Sequence, residues 1–168
     1  GGLAEEMGVL PEIDILVGTL GKSLASMGAY VLANNGSIID FLTNKAGEYI
    51  YSTFLSPSQA GAALEAIKLI KIYEKQRENL RSLSKYLRNA INPSGEIFES
   101  PIIPIVVGDP EETINLQNVL LEKGILVGAV RPPTVPANTS RLRLSLNSET
   151  NKSLVDEVLN ILKEWKKI

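Results

Sequence analysis

Two short, nearly continuous apolar segments constrain the fold of the chain most strongly. IDILVG (13–18) and AYVLA (29–33) are shorter than an ordinary buried helix and lack the polar alternation of a half-exposed strand. Such segments are typical of strands that are covered on both faces in an α/β sheet. We therefore predict an α/β fold, in which Lys22 lies in the loop between two buried strands.

Composition limits the chemistry that the 168 residues can support. The sequence contains no cysteine and no histidine, so disulfides, thiolate ligands and imidazole ligands are excluded and no metal site is predicted. The net charge of −2 argues against nucleic acid as a partner. No apolar run is long enough to span a bilayer, and the first residues do not resemble a signal peptide. We expect a cytoplasmic protein without membrane contact.

The segment GTLGKS (18–23) raises the question of what Lys22 does. A phosphate-binding P-loop requires a glycine where this chain has Leu16, so that pattern fails. A lysine after a buried strand can instead form a Schiff base with a carbonyl cofactor, of which pyridoxal 5′-phosphate (PLP) is the commonest. Neighbouring glycines would allow close approach of a bulky ligand. From the residues alone, a simply solvated lysine remains the alternative.

Helical spacing and capping signals organise the middle of the chain. Residues 37–46 have helical spacing, and residues 48–54 alternate loosely, which favours a strand or extended loop. A capping box at Ser56 predicts one long helix to about Ala90, bridging two domains. Its predicted buried positions are Leu64, Ile67, Leu80, Leu83 and Leu87.

The last third of the chain alternates strands and helices. We predict a turn at 92–95, a strand at 102–108, a helix from the capping residue Asp109 to about Lys123, and a strand at 125–130. A final helix is predicted to bury one face, formed by Leu154, Val158, Ile161, Leu162 and Trp165.

The segment RLRLSL (141–146) alternates strictly between leucine and polar residues. This period of two places the leucines on one face of a strand and Arg141 and Arg143 on the other. A guanidinium group suits bidentate recognition of a carboxylate. The alternative is a half-exposed edge strand with solvated arginines. Similarly, Ser52 and Thr53 are either ligand contacts or strand-end hydroxyls that bond the local backbone.

Three segments together resemble the α-oxoamine synthase family. They are TLGKSLASMGAY, YIYSTFLSP and RPPTVPANTSRLRLSL, in this order and at these intervals. The chain is similar to the C-terminal portion of these PLP-dependent enzymes, and most similar to their 8-amino-7-oxononanoate synthase branch in biotin biosynthesis. The resemblance implies an aspartate-aminotransferase-like fold (fold type I). Residues 1–56 would then end the PLP-binding large domain, and residues 57–168 would form a linking helix and a small α/β domain.

The resemblance also implies a cofactor site. Lys22 matches the lysine that binds PLP covalently and later moves the α-proton of the substrate. Thr19 matches a threonine that binds the cofactor phosphate. Ser52 and Thr53 match hydroxyls that reach this phosphate from the partner subunit of a homodimer.

The implied substrates are L-alanine and a pimeloyl thioester, carried by coenzyme A or by acyl carrier protein. Arg143 matches the arginine that holds the amino-acid carboxylate. Arg131 and Thr134 match loop residues near the acyl substrate. The implied reaction joins the two substrates with loss of carbon dioxide and yields 8-amino-7-oxononanoate.

The chain also departs from the family pattern. Relatives carry, upstream of the Lys22 segment, an aspartate that pairs with the pyridine nitrogen and histidines that stack on the ring. We therefore expect this chain alone to be inactive, with the apolar faces of its first two strands uncovered. Asn138 stands where glycine is common, which suits a left-handed backbone conformation. Two alternatives remain: the glycine C-acetyltransferase branch of the family, and a non-catalytic chain that keeps the small domain for packing or partner binding.

Overall fold

The structure is a computed structural model that describes residues 2–93 and 100–166. The chain divides into two compact units, Gly1–Ile72 and Tyr73–Ile168. The assignment of residues 1–56 to a large domain and 57–168 to a linking helix and small domain stays a prediction. None of the helices within the described ranges is long and apolar enough to cross a membrane.

The first unit consists of one two-stranded antiparallel sheet and several helices. Its strands are β1 (Ile15–Thr19) and β2 (Ala29–Ala33), which confirms both predicted strands. A single 3₁₀ turn, Leu10–Glu12, precedes them. The helices of this unit are α1 (Leu3–Glu6), α2 (Gly36–Lys45), α3 (Gly47–Ile50) and α4 (Pro57–Ile70).

The two strands of the first unit expose apolar side chains, as expected for this chain alone. Val17 on β1 is 67% exposed and Leu32 on β2 is 57% exposed. Gly18 lies opposite Tyr30, whose ring occupies the space above it, since a Cβ atom on Gly18 would lie 2.2 Å from the ring. Glycine at position 18 therefore accommodates a tyrosine of the neighbouring strand.

The prediction of an extended segment at 48–54 is wrong for its first part. Residues 47–50 form the single helical turn α3, in which the amide groups of Tyr49 and Ile50 donate to the Ala46 carbonyl. Loose alternation over a few residues does not distinguish one helical turn from a strand, because both periods fit so short a segment.

The predicted long helix is two helices. Helix α4 begins at the predicted capping box, where the Ser56 hydroxyl accepts from the Gln59 amide at 3.4 Å. At its C-terminal end each amide bonds the carbonyl three residues earlier, as in the 3.0 Å bond from the Ile72 amide to the Leu69 carbonyl. Helix α5 (Glu74–Ile91) starts after Tyr73. Neither glycine nor proline marks the break, so the sequence gives no local signal for it.

Burial confirms only the second half of the predicted face of this helical region. Leu83 and Leu87 of α5 are buried and Leu80 is half-buried, but Leu64 and Ile67 of α4 are exposed. In α4 the buried position is the smaller Ala63. The turn predicted at 92–95 lies partly outside the described residues.

The second unit packs three helices on one face of a three-stranded antiparallel sheet. Its strands are β3 (Ile102–Gly108), β4 (Gly128–Val130) and β5 (Ser140–Ser145), in the order β3-β5-β4. Its helices are α5, α6 (Pro110–Glu122) and α7 (Lys152–Lys166). Because β3 and β4 both run antiparallel to β5, the chain forms a split β-α-β unit.

One apolar core fills the space between the sheet and the helices. Leu142 and Leu144 of β5 are buried there, beside residues of all three helices. Burying a leucine side chain contributes about 1.5–3 kcal/mol, so the alternating leucines of β5 anchor the sheet strongly. The core contains Leu83, Leu87, Ile103, Ile105, Leu116, Leu120, Ile125, Val127, Leu142, Leu144, Val155, Val158, Leu159, Ile161 and Leu162.

Helix α6 begins and ends as predicted. The Asp109 carboxylate accepts from the backbone amides of Glu111 and Glu112, at 2.8 and 2.9 Å. Gly124, with φ +78°, follows the last turn and donates to the Leu121 carbonyl.

The predicted strand at 125–130 is shorter than expected. Only residues 128–130 pair with β5. The Val127 carbonyl instead accepts a 2.8 Å hydrogen bond from the Gln117 side chain of α6. The Gln117 side chain thus satisfies a backbone carbonyl that a neighbouring strand would otherwise bond. The apolar run at 125–130 gives no sign of this contact.

Helix α7 is confirmed, with a corrected buried face. Leu154 is 39% exposed, whereas Val155 and Leu159 are buried. The helix is tied to α5 by a surface cluster, in which the Asp156 carboxylate accepts from Tyr86 Oη at 2.6 Å and from Lys152 Nζ at 2.8 Å. Hydrogen bonds from Lys152 and Tyr86 lower the pKa of Asp156, and the bond to Asp156 raises the pKa of Lys152.

We expect Asp156→Asn to destabilise the second unit in a pH-dependent way. A carboxyl whose pKa is lowered by folding stabilises the fold above its unfolded pKa, here an ordinary value of 3.8, and loses this contribution as the pH falls through the folded pKa. Urea unfolding between pH 3 and 8 should show a stability gap between wild type and variant that is constant above about pH 5 and closes under acid. The neighbouring exposed Glu157→Gln is the control and should show no such gap. A gap that widens on acidification would contradict this account.

Candidate functional site

Lys22 lies at the tip of a closely hydrogen-bonded loop between β1 and β2. Its carbonyl accepts from the Ala25 amide at 3.0 Å, which closes a tight turn. The base of the loop is closed by a 2.9 Å bond from the Leu20 amide to the Gly28 carbonyl. The Lys22 side chain is exposed, and within the described ranges no hydrogen bond or ion pair involves it.

Two buried leucines hold this loop against helix α4. Leu20 and Leu24 flank Lys22 and pack with Ala63. The Ser26 hydroxyl adds a 2.7 Å hydrogen bond to the Gln59 carbonyl in the first turn of the same helix. The two leucines thus anchor the loop by packing, and the amine of the lysine between them stays accessible to a ligand.

Of the glycines around Lys22, Gly28 has the unusual backbone angle expected of them. Gly28 has φ +90°, a conformation that favours glycine, and a Cβ atom there would displace the end of the Leu55 side chain, 2.5 Å away. Gly18 and Gly21 are outside the left-handed region. Ala25, by contrast, has φ +48°, an unusual conformation for a residue with a side chain.

The hydroxyl groups assigned to the cofactor phosphate lie in the first unit with Lys22. Thr19 is the last residue of β1 and its side chain is exposed. Ser52 and Thr53 are exposed in the segment after α3, and the Ser52 hydroxyl donates to the Glu48 carbonyl of that helical turn. Their role as phosphate contacts stays a prediction.

The proline-rich loop before β5 is ordered by two turns. The Thr134 amide donates to the Arg131 carbonyl at 3.0 Å, and the Thr139 hydroxyl donates to the Pro136 carbonyl at 2.7 Å. Asn138 has φ +60°, which confirms the left-handed conformation expected at this position. Arg131 and Thr134 are exposed on the loop.

Strand β5 presents its two arginines on the face of the sheet opposite the helices. The strand is central, so the alternative of an edge strand is wrong. Arg141 is half-buried, and its Nε donates to the Thr139 carbonyl at 2.9 Å. Arg143 is exposed, and no hydrogen bond or ion pair to it is found in the described part of the chain.

We call the side of the sheet away from the helices the open face. It carries no acidic side chain on any of the three strands. Carboxylates that could neutralise Arg143 are therefore absent from the strand positions described here. The open face consists of Ile102, Pro104, Val106, Gly128, Val130, Arg141, Arg143 and Ser145.

The predicted site residues divide between the two units. Thr19, Lys22, Ser52 and Thr53 belong to the first, and Arg131, Thr134 and Arg143 to the second. Among the described residues, no group of three or more histidine, cysteine, aspartate or glutamate side chains is arranged to hold a metal ion. Sequence reasoning missed the residues that support Lys22; the apolar positions 20 and 24 around it were the available signal.

Comparison with known proteins places the chain in a family. Residues 2–162 match the aminotransferase class I and II family. The chain belongs to this family. It is 40% identical over 166 residues to the 8-amino-7-oxononanoate synthase of Alkalilimnicola ehrlichii, and this match covers 96% of the chain and 42% of that enzyme. The chain thus spans less than half the length of the curated relatives it matches.

Solved structures of related enzymes have the same fold. The serine palmitoyltransferase of Sphingomonas wittichii matches with a TM-score of 0.90 at 28% identity, over 99% of this chain and 43% of that one. A serine palmitoyltransferase structure containing PLP matches with a TM-score of 0.90 at 27% identity, again over 99% and 43%. The 8-amino-7-oxononanoate synthase of Francisella tularensis gives 0.78 at 28% identity, over 91% and 45%. These matches confirm the predicted recognition and fold class.

The strained backbone at Ala25 makes the Lys22 loop sensitive to substitution. We expect Ala25→Gly to leave the free energy of unfolding unchanged or to raise it by up to about 1 kcal/mol, because glycine adopts positive φ without strain. Ala25→Val should lower it by about 1–3 kcal/mol, since a β-branched residue is a genuine outlier in this conformation. Urea unfolding measures both changes.

The control for this comparison is Ala29→Val at an exposed position of β2, where valine suits the strand. Equal stability of the two valine variants would show that the loop does not hold Ala25 in the left-handed region.

Proposed function

We propose that the full-length protein is a PLP-dependent acyltransferase of the 8-amino-7-oxononanoate synthase type. It would condense L-alanine with a pimeloyl thioester, carried by coenzyme A or acyl carrier protein, and release carbon dioxide. The observation that carries this proposal is the open face, which presents Arg143 without any acidic neighbour on its strands. The 40% identity to a synthase of this name supports the same substrates.

The residues of the first unit fit the cofactor chemically. Lys22 offers an exposed primary amine, and Thr19, Ser52 and Thr53 offer exposed hydroxyls that suit a phosphate group. When bound, PLP supplies an electron sink that stabilises a carbanion at the substrate α-carbon. Lys22 would hold it covalently, and the three hydroxyls would bind its phosphate, Ser52 and Thr53 from the partner subunit of a homodimer.

Lys22 is also the group that would move the proton. With cofactor and amino acid bound, the Lys22 Nζ would take a proton from the substrate α-carbon and later return one. An amine removed from water and placed beside a cationic group loses its proton more readily. Lys22 is exposed in the described chain, so the bound cofactor and substrate would supply this desolvation.

Arg143 would fix the orientation of the amino acid. A guanidinium group that holds a carboxylate through two parallel hydrogen bonds sets both the position and the rotation of the substrate. Arg131 and Thr134, on the ordered loop before β5, would contact the acyl substrate.

We further propose that the full-length enzyme acts in the cytoplasm and that the 168-residue chain alone is inactive.

The chain is also similar to serine palmitoyltransferase, so the main alternative is an enzyme of this family that uses a different amino acid. Its structures match with TM-scores up to 0.90, although the sequence identity is only 28%. A panel of alanine, glycine and serine against pimeloyl, acetyl and palmitoyl thioesters, assayed with the full-length protein, separates the branches. Preference for alanine with a pimeloyl thioester supports the proposal, and preference for another pair contradicts it.

Reduction with borohydride tests the role of Lys22. The full-length protein should absorb visible light as a protonated Schiff base, and reduction should fix the cofactor to the peptide that contains Lys22. Lys22→Ala should lose the covalent adduct and turnover while keeping its circular dichroism spectrum. Lys45→Ala, at an exposed lysine of the same unit, is the control and should retain both. A reduced cofactor found by mass spectrometry on another lysine would remove the basis for this assignment.

Separate substitution of the two β5 arginines tests carboxylate recognition. We expect Arg143→Ala to lower kcat/KM for alanine by roughly a hundredfold or more, because a charge-assisted bidentate pair contributes about 3 kcal/mol. Arg141→Ala should cost about tenfold at most, since its guanidinium already bonds the Thr139 carbonyl. Arg143→Lys should recover only part of the loss. The reverse ranking of the two alanine variants would show that Arg141 holds the carboxylate.

A further inference from the structure

The cross-strand neighbours of Arg143 carry no polar side chain. Pro104 of β3 lies opposite it on one side, and Gly128 of β4 lies opposite it on the other. Side chains directly opposite each other on neighbouring strands interact most strongly within a sheet. These two positions therefore decide whether the Arg143 guanidinium finds a partner within its own sheet.

Neither backbone conformation nor space requires glycine at position 128. Its φ lies outside the positive region that favours glycine. A Cβ atom built there would lie 3.8 Å from the Arg143 Cβ, which is an ordinary contact and places it on the same face of the sheet. A side chain at this position would thus start beside the Arg143 side chain on the open face.

Arg141 has a different environment on the same strand. Its cross-strand neighbours are Val106 and Val130, and its Nε already donates to the Thr139 carbonyl. Arg141 is also half-buried, whereas Arg143 is exposed. The two arginines share one face, but only Arg143 has its guanidinium unpaired in the described structure.

We propose that Gly128 is a positioning residue that keeps Arg143 available for the carboxylate of the amino-acid substrate. By carrying no side chain opposite Arg143, it leaves the guanidinium without an internal partner. An acidic side chain at position 128 would pair with the guanidinium and would also repel the incoming carboxylate. This inference rests on the proposed role of Arg143 in substrate binding.

Two substitutions of equal size test the inference in the full-length protein. Gly128→Asp should raise the KM for alanine roughly tenfold relative to Gly128→Asn, with kcat at saturating alanine within about threefold of it, because the added charge competes with substrate binding alone. The asparagine variant controls for volume and for the loss of glycine. If Gly128→Asp does not fold, Gly128→Glu and Gly128→Gln give the same comparison. Equal KM values within a pair would overturn the inference.

A second readout does not depend on activity. The side-chain carboxyl introduced by Gly128→Asp can be titrated by NMR with ¹³C-labelled aspartate. Its pKa should lie below the ordinary value of about 3.9 when Arg143 is present, and should return towards it in the Gly128→Asp/Arg143→Gln double variant. An unchanged pKa in the two backgrounds would show that position 128 does not reach the guanidinium, which overturns the inference.

The Arg143→Ala variant separates failure of this inference from failure of the proposed function. If Arg143→Ala abolishes alanine use but Gly128→Asp behaves like Gly128→Asn, only the role of Gly128 is wrong. If Arg143→Ala retains the wild-type KM for alanine, the proposed carboxylate site is wrong, and the role of Gly128 falls with it.

Discussion

The alternation of β5 is the constraint on which the second unit depends. Leu142 and Leu144 lie in the core between the sheet and three helices, and their burial fixes which face of the strand points outward. A shift of one residue in register would bury the arginines and expose the leucines, at a cost of several kcal/mol. The same packing that stabilises the unit therefore fixes Arg141 and Arg143 on the open face. Hydrogen bonding at the start of the strand then distinguishes the two arginines.

In the first unit, too, apolar residues do the packing while a charged residue between them faces outward. Leu20 and Leu24 are buried against helix α4, and Lys22 lies between them with its side chain exposed. The turn requires a left-handed residue at Ala25 and a glycine at Gly28. In both units the apolar neighbours carry the packing energy, so the charged residue can keep its functional groups unpaired.

The sequence predicted those features that short-range physics determines. Strict alternation predicted β5, and side-chain capping predicted the starts of α4 and α6, because each signal acts within a few residues. The break between α4 and α5 and the late start of β4 were not predicted. The first lacks a glycine or proline, and the second depends on a hydrogen bond from Gln117, ten residues away. The buried face of α7 was predicted in part: it included the exposed Leu154 and missed the buried Val155 and Leu159.

The residues of the candidate site were predicted mainly from the family resemblance and only to a small extent from residue patterns. Spacing could not choose between Arg141 and Arg143, and the structure distinguishes them only through the bond to Thr139 and the difference in exposure. A crystal structure of the full-length protein with L-alanine tests this account most directly. It should place both carboxylate oxygens about 2.7–3.0 Å from the terminal nitrogens of Arg143, in a bidentate pair. A carboxylate bound by Arg141, or by a residue away from the open face, would contradict the account.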